Sequence, residues 1–264
     1  MRRRFFVQQF ESGSALLRGE AAHHLGRVLR AETGQLYELS DGESLWLART
    51  ERVGREEIQF SLIERLAAPV APVFVELLLA VVKFDRFEWA LEKAVELGAD
   101  EIVPLAAERS EKGLLAAATK RAERWKRILS ESAQQARRLR VPVLRDAAKP
   151  RDAFNTSAAQ IRVLLSERAS ARPLRALLEP PAARAGKGGA VRVAVGIGPE
   201  GGWTDAEFIA AHGSQFAESA LGANILRTET AVCAALAAVQ YAFGGSGLRN
   251  ETEDAQSGRG SEKA

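Results

Sequence analysis

From Val73 onward, short apolar runs alternate with amphipathic segments, and this alternation constrains the fold more than any other feature of the chain. The runs are rich in valine, isoleucine and leucine, which is typical of strands in a sheet buried on both faces. Strands that alternate with helices predict an α/β domain. The predicted strands are Val73 to Val82, Glu101 to Leu105, Ile161 to Leu165, Val191 to Ile197 and Ala217 to Leu221.

Three amphipathic helices are predicted between and after these strands, over Arg86 to Leu97, Thr119 to Leu139 and Thr230 to Phe243. Each places apolar residues on one face at helical spacing. The second helix is strongly basic on its remaining faces. A stretch rich in glycine, proline and alanine, Glu179 to Gly189, predicts a flexible loop, and the polar residues 245–264 predict a disordered tail.

The first 68 residues predict a small β-rich module with one short helix, Glu20 to Arg30. Asp41-Gly42 supplies the positive φ that a tight hairpin needs. Two prolines in Ala67 to Pro72 interrupt regular structure and indicate a linker, with a boundary near Pro69. The sequence therefore predicts two domains, at 1–68 and 73–244. The strands predicted in the module are Gln35 to Leu39, Leu45 to Arg49 and Ile58 to Ile63.

Several classes of protein are excluded by residue content. The single cysteine, Cys233, cannot form an intramolecular disulfide, and the three histidines have no metal-ligand spacing, so we expect no metal and a reducing cytoplasm. The basic start is cut off by polar residues before it reaches the length of an export signal. The longest apolar run has half the roughly 20 residues of a membrane helix, so no membrane span is expected.

A strand, a glycine turn and a helix follow one another from Val191 to Glu207, and Thr204 to Glu207 have the spacing of a capping box at the start of the helix. The turn, Gly196 to Trp203, contains the Gly-x-Gly-x-x-Gly pattern of dinucleotide-binding proteins. However, Pro199 lacks an amide donor, and Glu200 would set a carboxylate beside a phosphate. A ligand without phosphate, such as one with a sulfonium cation and an adenosine, fits the turn better. The alternative is a tight turn that only needs a flexible backbone.

A second turn, Leu221 to Thr230, follows a predicted strand and precedes the last helix. Arg227 and Glu229 give it more polar chemistry than a helix cap requires. The alternative is an elaborate cap, with Thr228 as the capping residue. Ligands in α/β proteins gather at the carboxyl ends of strands, and a third such end lies at Leu164 to Arg168. We therefore expect these three segments to form one cleft.

Basic residues collect in two places, although the net charge is only +3. Together with the β-rich module, the two clusters indicate RNA binding, which would be strongly salt-dependent. The alternative is that each cluster is an ordinary solvated surface. The clusters are Arg2, Arg3, Arg4, Arg18, Arg27 and Arg30 in the module, and Lys120, Arg121, Arg124, Lys126, Arg127, Arg137, Arg138 and Arg140 on the second helix.

With these motifs in this order, the chain from Arg4 to about Phe243 resembles the SPOUT-class methyltransferases that modify N3 of a uridine in 16S ribosomal RNA, often called RsmE-type. The resemblance implies a PUA-like RNA-binding barrel, an α/β domain with a trefoil knot, S-adenosylmethionine as methyl donor, and a homodimer acting on the small ribosomal subunit. It rests on Ile197 to Gly202, Leu221-Gly222 with Ile225 to Thr230, Glu92 to Gly98, Glu108 to Ser110 and His24 to Arg30.

The resemblance also implies site residues. Gln134, Arg137 and Trp203 depart from the residues that are usual in the family. The implied cofactor cleft is Leu165, Ser166, Gly198, Pro199, Glu200, Gly201, Gly202, Leu221, Gly222, Ile225, Leu226 and Arg227. The implied RNA contacts are Arg3, Arg4, Arg27, Arg30, Arg109 and Arg138.

Uracil N3 is a poor nucleophile until its proton leaves, so catalysis needs proton removal or stabilisation of the anion. We expect Arg227 to stabilise the developing uracil anion, and Glu229 to act as a base or to orient Arg227. One rival interpretation is a non-catalytic RNA-binding or ribosome-assembly protein with a vestigial cofactor cleft. A weaker rival is a nicotinamide-dependent dehydrogenase built on Gly196, Gly198 and Gly201.

Overall fold

The computed structural model describes residues 3–69, 71–179 and 190–244, in two sheets with helices. The predicted tail at 245–264 and most of the predicted loop at 179–189 lie outside these ranges. The strands are β1 (Arg4–Phe6), β2 (Phe10–Glu11), β3 (Ser14–Arg18), β4 (Leu36–Ser40), β5 (Leu45–Val53), β6 (Glu57–Leu66), β7 (Val73–Ala80), β8 (Ala99–Leu105), β9 (Val143–Leu144), β10 (Ile161–Leu165), β11 (Arg172–Pro173), β12 (Val191–Ile197) and β13 (Ala217–Ala220). The helices are α1 (Gly19–His23), α2 (Phe84–Glu96), α3 (Lys112–Gln135), α4 (Pro150–Thr156), α5 (Leu174–Leu178), α6 (Asp205–Gly213) and α7 (Thr228–Phe243).

The N-terminal module is a curled six-stranded sheet in the order β1-β4-β5-β6-β3-β2. Its β4–β5 hairpin turns at Asp41-Gly42 as predicted, with Gly42 at a φ of 94°. The Asp41 carboxylate accepts hydrogen bonds from the backbone of Glu43 and Ser44 and so fixes the turn. The predicted helix Glu20 to Arg30 is shorter: α1 continues as a π-helical turn, His24–Val28. It stops there because Arg30 adopts a left-handed φ of 52°.

The second sheet is parallel throughout, in the order β11-β13-β10-β12-β7-β8-β9. All five predicted strands of this domain are present. The bounds of β10 and β12 agree with the prediction to the residue, whereas β8 begins at Ala99 and β13 ends at Ala220. The α/β core is fully buried, as a sheet covered on both faces requires.

The helix predicted at Thr119 to Leu139 is displaced along the chain, because α3 runs from Lys112 to Gln135. Its first turns are mostly alanine and leucine, so they give no amphipathic pattern that could mark the start. It ends early because Arg137 takes a left-handed φ of 53°. None of the helices in the described ranges combines the length and apolar character that crossing a membrane requires.

A buried charged cluster joins the N-terminal module to the α/β domain. The Arg4 guanidinium binds the Glu38 carboxylate at 2.8 Å, and both side chains are at least 95% buried. Arg137, just after α3, contributes its own side chain to Glu38 and its carbonyl to Arg4. Nearby, the Ser40 hydroxyl donates to the carbonyl of Leu139. The strand pair β1–β4 is therefore bonded directly to the segment that follows α3.

Two predicted RNA contacts are corrected by this packing. Arg4 is 1% exposed, so its side chain is not accessible to RNA. The Arg138 side chain is 14% exposed and binds Asp100 at 2.6 Å and the carbonyl of Val95. Burial lowers the pKa of Arg138, and the neighbouring Asp100 carboxylate opposes that shift. Both arginines hold the fold together.

Most basic side chains predicted to form an RNA surface on α3 are also engaged by carboxylates. Arg121 and Arg124 both bind Glu88 on α2, whose pKa is lowered chiefly by the hydrogen bond from Arg124. These two pairs join α3 to α2, and the pair of Arg127 with Glu20 joins α3 to the module. Lys126 pairs with Glu123 within α3. The helix therefore offers RNA less free charge than its sequence suggests.

Glu76 is a buried carboxyl on β7, and we expect its contribution to the stability of the fold to fall as pH rises. Burial raises its pKa, and the hydrogen bond from the Ser157 hydroxyl at 2.5 Å opposes the shift. The folded state therefore keeps this proton to higher pH than the unfolded state, whose glutamate pKa is about 4.3. The contribution of Glu76 to stability is fully present below that value and is lost as pH rises through the higher pKa of the folded state.

We therefore expect Glu76→Gln to be more stable than the wild type at pH 7.5, with the difference vanishing near pH 4. Denaturant unfolding at several pH values measures this. A variant that loses stability at pH 7.5 would instead mean that the nearby Arg192 and Arg162 stabilise the ionised carboxylate.

Candidate functional site

Three neighbouring strands of the parallel sheet end at one edge and surround a cleft of about 860 Å³. Strand β10 lies between β12 and β13, so the segments that follow these three strands meet. The two glycine-containing turns therefore lie side by side, as the sequence predicts. Every residue of the expected cofactor cleft lines this space, together with Glu167, Arg168 and Trp203 among others.

Two side-chain hydrogen bonds fasten the walls of the cleft to one another. The Thr228 hydroxyl donates to the carbonyl of Gly198 at 3.2 Å and joins the second turn to the first. The Trp203 indole donates to the carbonyl of Leu165 at 3.0 Å and joins the first turn to the end of β10. Thr228 is not the helix cap considered above: Arg227 occupies that position, without a side-chain capping bond.

Glycine is required in the first turn for two different reasons. A Cβ at Gly198 would lie 3.0 Å from the Trp203 ring, which packs directly against the turn. Gly202 adopts a φ of 70°, a conformation that costs other residues about 1–2 kcal/mol. At Gly222, in contrast, a Cβ would meet no atom within 4 Å. The absence of a side chain there leaves space open beside the cleft wall.

A third loop, between β8 and α3, is bonded to the first turn. The predicted capping box of α6 is confirmed, because Thr204 and Glu207 exchange their hydrogen bonds. Glu207 also accepts a bond from the backbone of Glu108 at 2.9 Å. The guanidinium of Arg109 donates to the carbonyl of Gly201 at 2.8 Å and lines the cleft. The sequence reveals the capping box, but it carries no signal for the contact with Glu108.

Charged groups on the cleft form pairs that the sequence did not predict. Arg86, in the first turn of α2, binds Glu200 at the tip of the first turn and lies 3.9 Å from Glu229. Glu229 is not among the residues that line the cleft, and its ionic neighbour is Arg86 instead of Arg227. Arg227 is exposed at the cleft, and among the described residues no carboxylate lies within ion-pair distance of it.

The expected RNA contacts separate into two groups. Arg3, Arg27 and Arg30 are exposed on the N-terminal module, and Arg109 lies at the cleft. Arg4 and Arg138 are buried, as described above. In the described ranges, no group of three or more histidine, cysteine, aspartate or glutamate side chains is arranged to hold a metal ion.

Comparison with known proteins agrees with the resemblance read from the sequence. A family model described as an RNA methyltransferase domain matches residues 69–240. The ribosomal RNA small subunit methyltransferase E of Synechocystis is 31% identical, over 88% of this chain and 74% of that protein. The chain belongs to the ribosomal RNA small subunit methyltransferase E family. The Bacillus subtilis member is 29% identical, over 90% of this chain and 96% of its own length.

Solved structures extend this family relationship to the fold. The ribosomal RNA small subunit methyltransferase E of Neisseria gonorrhoeae, bound to S-adenosyl methionine, has a TM-score of 0.78 and 26% identity over 91% of this chain and 98% of that one. A Legionella pneumophila protein in complex with the same cofactor has a TM-score of 0.80 and 29% identity, over 92% and 98% of the two chains. Similarity to the methyltransferase E family therefore includes the N-terminal module as well as the α/β domain.

Proposed function

We propose that this chain transfers the methyl group of S-adenosylmethionine to N3 of a specific uridine in 16S ribosomal RNA. The observation that carries the proposal is the cleft at the ends of β10, β12 and β13, formed by the glycine turn and the Arg227 turn in a member of the methyltransferase E family. The two relatives solved with S-adenosylmethionine support the choice of cofactor.

The residues of the cleft fit such a cofactor. A volume of about 860 Å³ lies within the usual range for pockets that take small ligands. The open space at Gly222 would be reduced by any side chain. Pro199 has no backbone N–H, so the turn offers a pyrophosphate one donor fewer than a dinucleotide-binding turn does. We propose that Leu165 and Ser166, Gly198 to Gly202, and Leu221, Gly222 and Ile225 to Arg227 hold the cofactor, mainly through backbone groups.

When bound, S-adenosylmethionine supplies an activated methyl group and leaves a neutral thioether after transfer. Arg227 faces the cleft without a partner carboxylate in the described chain, so its guanidinium is free to bind the uracil carbonyls and the anion that forms at N3. Glu229 contacts Arg86 outside the cleft lining, so we propose that Glu229 acts as a positioning residue and that the N3 proton leaves to solvent.

We propose that the N-terminal residues 1–68 form a PUA-like module that binds RNA, and that residues 73–244 form a SPOUT domain with a trefoil knot. The exposed Arg3, Arg27 and Arg30 support RNA binding by the module. The position of β10 between two strands that follow it in the chain supports the knot. We also propose a homodimer, supported by the exposed apolar side chain of Tyr241 in the last helix, α7.

Incubation with labelled S-adenosylmethionine and unmodified small-subunit RNA, followed by mapping of the modified base, tests the proposal. Label at N3 of one uridine is the expected result. Titration calorimetry distinguishes the rivals: absence of S-adenosylmethionine binding favours the non-catalytic RNA-binding protein, and binding of NAD in its place favours the dehydrogenase. Label on another atom or another RNA would overturn the substrate assignment but not the class of reaction.

A further inference from the structure

Arg86 lies behind the wall of the cleft and contacts two carboxylates. It belongs to the first turn of α2, and it is not among the residues that line the cleft. Its guanidinium binds Glu200, which does line the cleft, and lies 3.9 Å from Glu229 in the first turn of α7. The residues it contacts are more than 110 positions away in the chain, so the fold alone brings these groups together.

Glu200 places a negative charge beside the proposed site of a positively charged cofactor. Its side chain is 46% exposed, at the tip of the turn that we assign to the cofactor. The cofactor is positively charged at sulfur before transfer and neutral there afterwards. A free carboxylate nearby would stabilise the reactants more than the transition state, in which that charge is already decreasing. Such an interaction would improve binding and slow the reaction.

We propose that Arg86 is a positioning residue that neutralises and holds Glu200, so that the Glu200 carboxylate does not stabilise the sulfonium ground state. This inference rests on the proposed function. Arg86 is not part of the cleft lining, and it acts on the reaction through Glu200. The Thr228 to Gly198 hydrogen bond joins the two turns without involving Arg86, so we expect the cleft to persist when Arg86 is changed.

The charge difference between S-adenosylmethionine and S-adenosylhomocysteine provides the test, because the two ligands differ by one methyl group and one positive charge. The quantity to measure is the ratio of their dissociation constants by titration calorimetry. Arg86→Met keeps an apolar side chain of similar length and removes the charge. We expect it to shift the ratio toward S-adenosylmethionine by about threefold to tenfold, with a lower kcat and no rise in KM for the cofactor.

Three further variants have defined effects on the ratio. Glu200→Gln leaves Arg86 as an uncompensated positive charge, so it should shift the ratio toward S-adenosylhomocysteine. Arg86→Met combined with Glu200→Gln should return the ratio toward the wild-type value, and Arg86→Lys should retain it. Each shift should shrink between about 0.05 and 0.5 M salt, because the charges are partly exposed. The matched control is Lys93→Ala, which removes a similarly exposed ion pair on the same helix and should leave the ratio unchanged.

The results separate this inference from the proposed function. If the wild type binds both ligands and Arg86→Met weakens both equally or not at all, Arg86 has only a structural role and the inference is wrong. If Arg86→Met does not fold, Glu200→Gln decides: an unchanged ratio overturns the inference. If the wild type binds neither ligand, the proposed function fails, and the inference fails with it.

Discussion

Replacing Arg227 with alanine is expected to reduce the rate of methyl transfer by about 100- to 1000-fold while weakening cofactor binding far less. A magnitude of this order is typical when one group that stabilises a developing anion is removed. Arg227 precedes α7, lines the cleft, and has no carboxylate partner among the described residues, so its charge is available to substrate. Single-turnover methylation of RNA and calorimetry with S-adenosylmethionine measure the two effects separately.

The matched control is Arg227→Lys, which keeps the charge but loses the planar, two-pronged donor geometry. We expect it to recover part of the rate. Equal losses of rate and of cofactor affinity in Arg227→Ala would show that Arg227 only shapes the cleft. Full activity of the alanine variant would remove Arg227 from the mechanism altogether.

Replacing Glu38 with alanine is expected to destabilise the protein by about 3–5 kcal/mol, because it removes the buried carboxylate that the Arg4 and Arg137 guanidinium groups share. Arg4 is almost completely buried, and the Arg137 side chain is 21% exposed, so solvent cannot compensate both. The cluster bonds the module to the α/β domain, so the two should also lose their fixed relative position. Denaturant unfolding measures the first effect, and small-angle scattering measures the second.

The chain contains a control for this experiment. Glu20 pairs with Arg127 and also bridges α1 of the module and α3, but both side chains are more than half exposed. Glu20→Ala should therefore cost less than about 1 kcal/mol. If the two variants lose similar stability, burial does not decide the strength of these contacts, and the interface depends on its apolar packing.

The sequence predicts the α/β domain well where a pattern is local. Strands β10 and β12 are rich in branched apolar residues and are flanked by residues of a different character. The first and last residue of each strand can therefore be predicted from the sequence. The glycine turn and the capping box at Thr204 and Glu207 are equally local. The start of α3 is not predicted because its alanine-rich first turns bury no defined stripe.

Long-range charge pairing is what the sequence could not supply. Arg4 and Arg138 look like Arg3 and Arg27 in the printed chain, yet the first two are buried in ion pairs and the last two are exposed. The difference depends on Glu38 and Asp100, which lie 34 and 38 residues away. For the same reason, the expected cleft residues could be named in advance, whereas Arg86 could not.

The order of strands in the parallel sheet also determines when the domain can form during synthesis. Strand β10 is complete at Leu165, but both of its neighbours, β12 and β13, come later in the chain. A nascent chain that has emerged only as far as residue 190 therefore exposes both edges of a strongly apolar strand. Assembly must wait until residue 220 leaves the ribosome, and an unfinished chain in this interval is a natural substrate for chaperones.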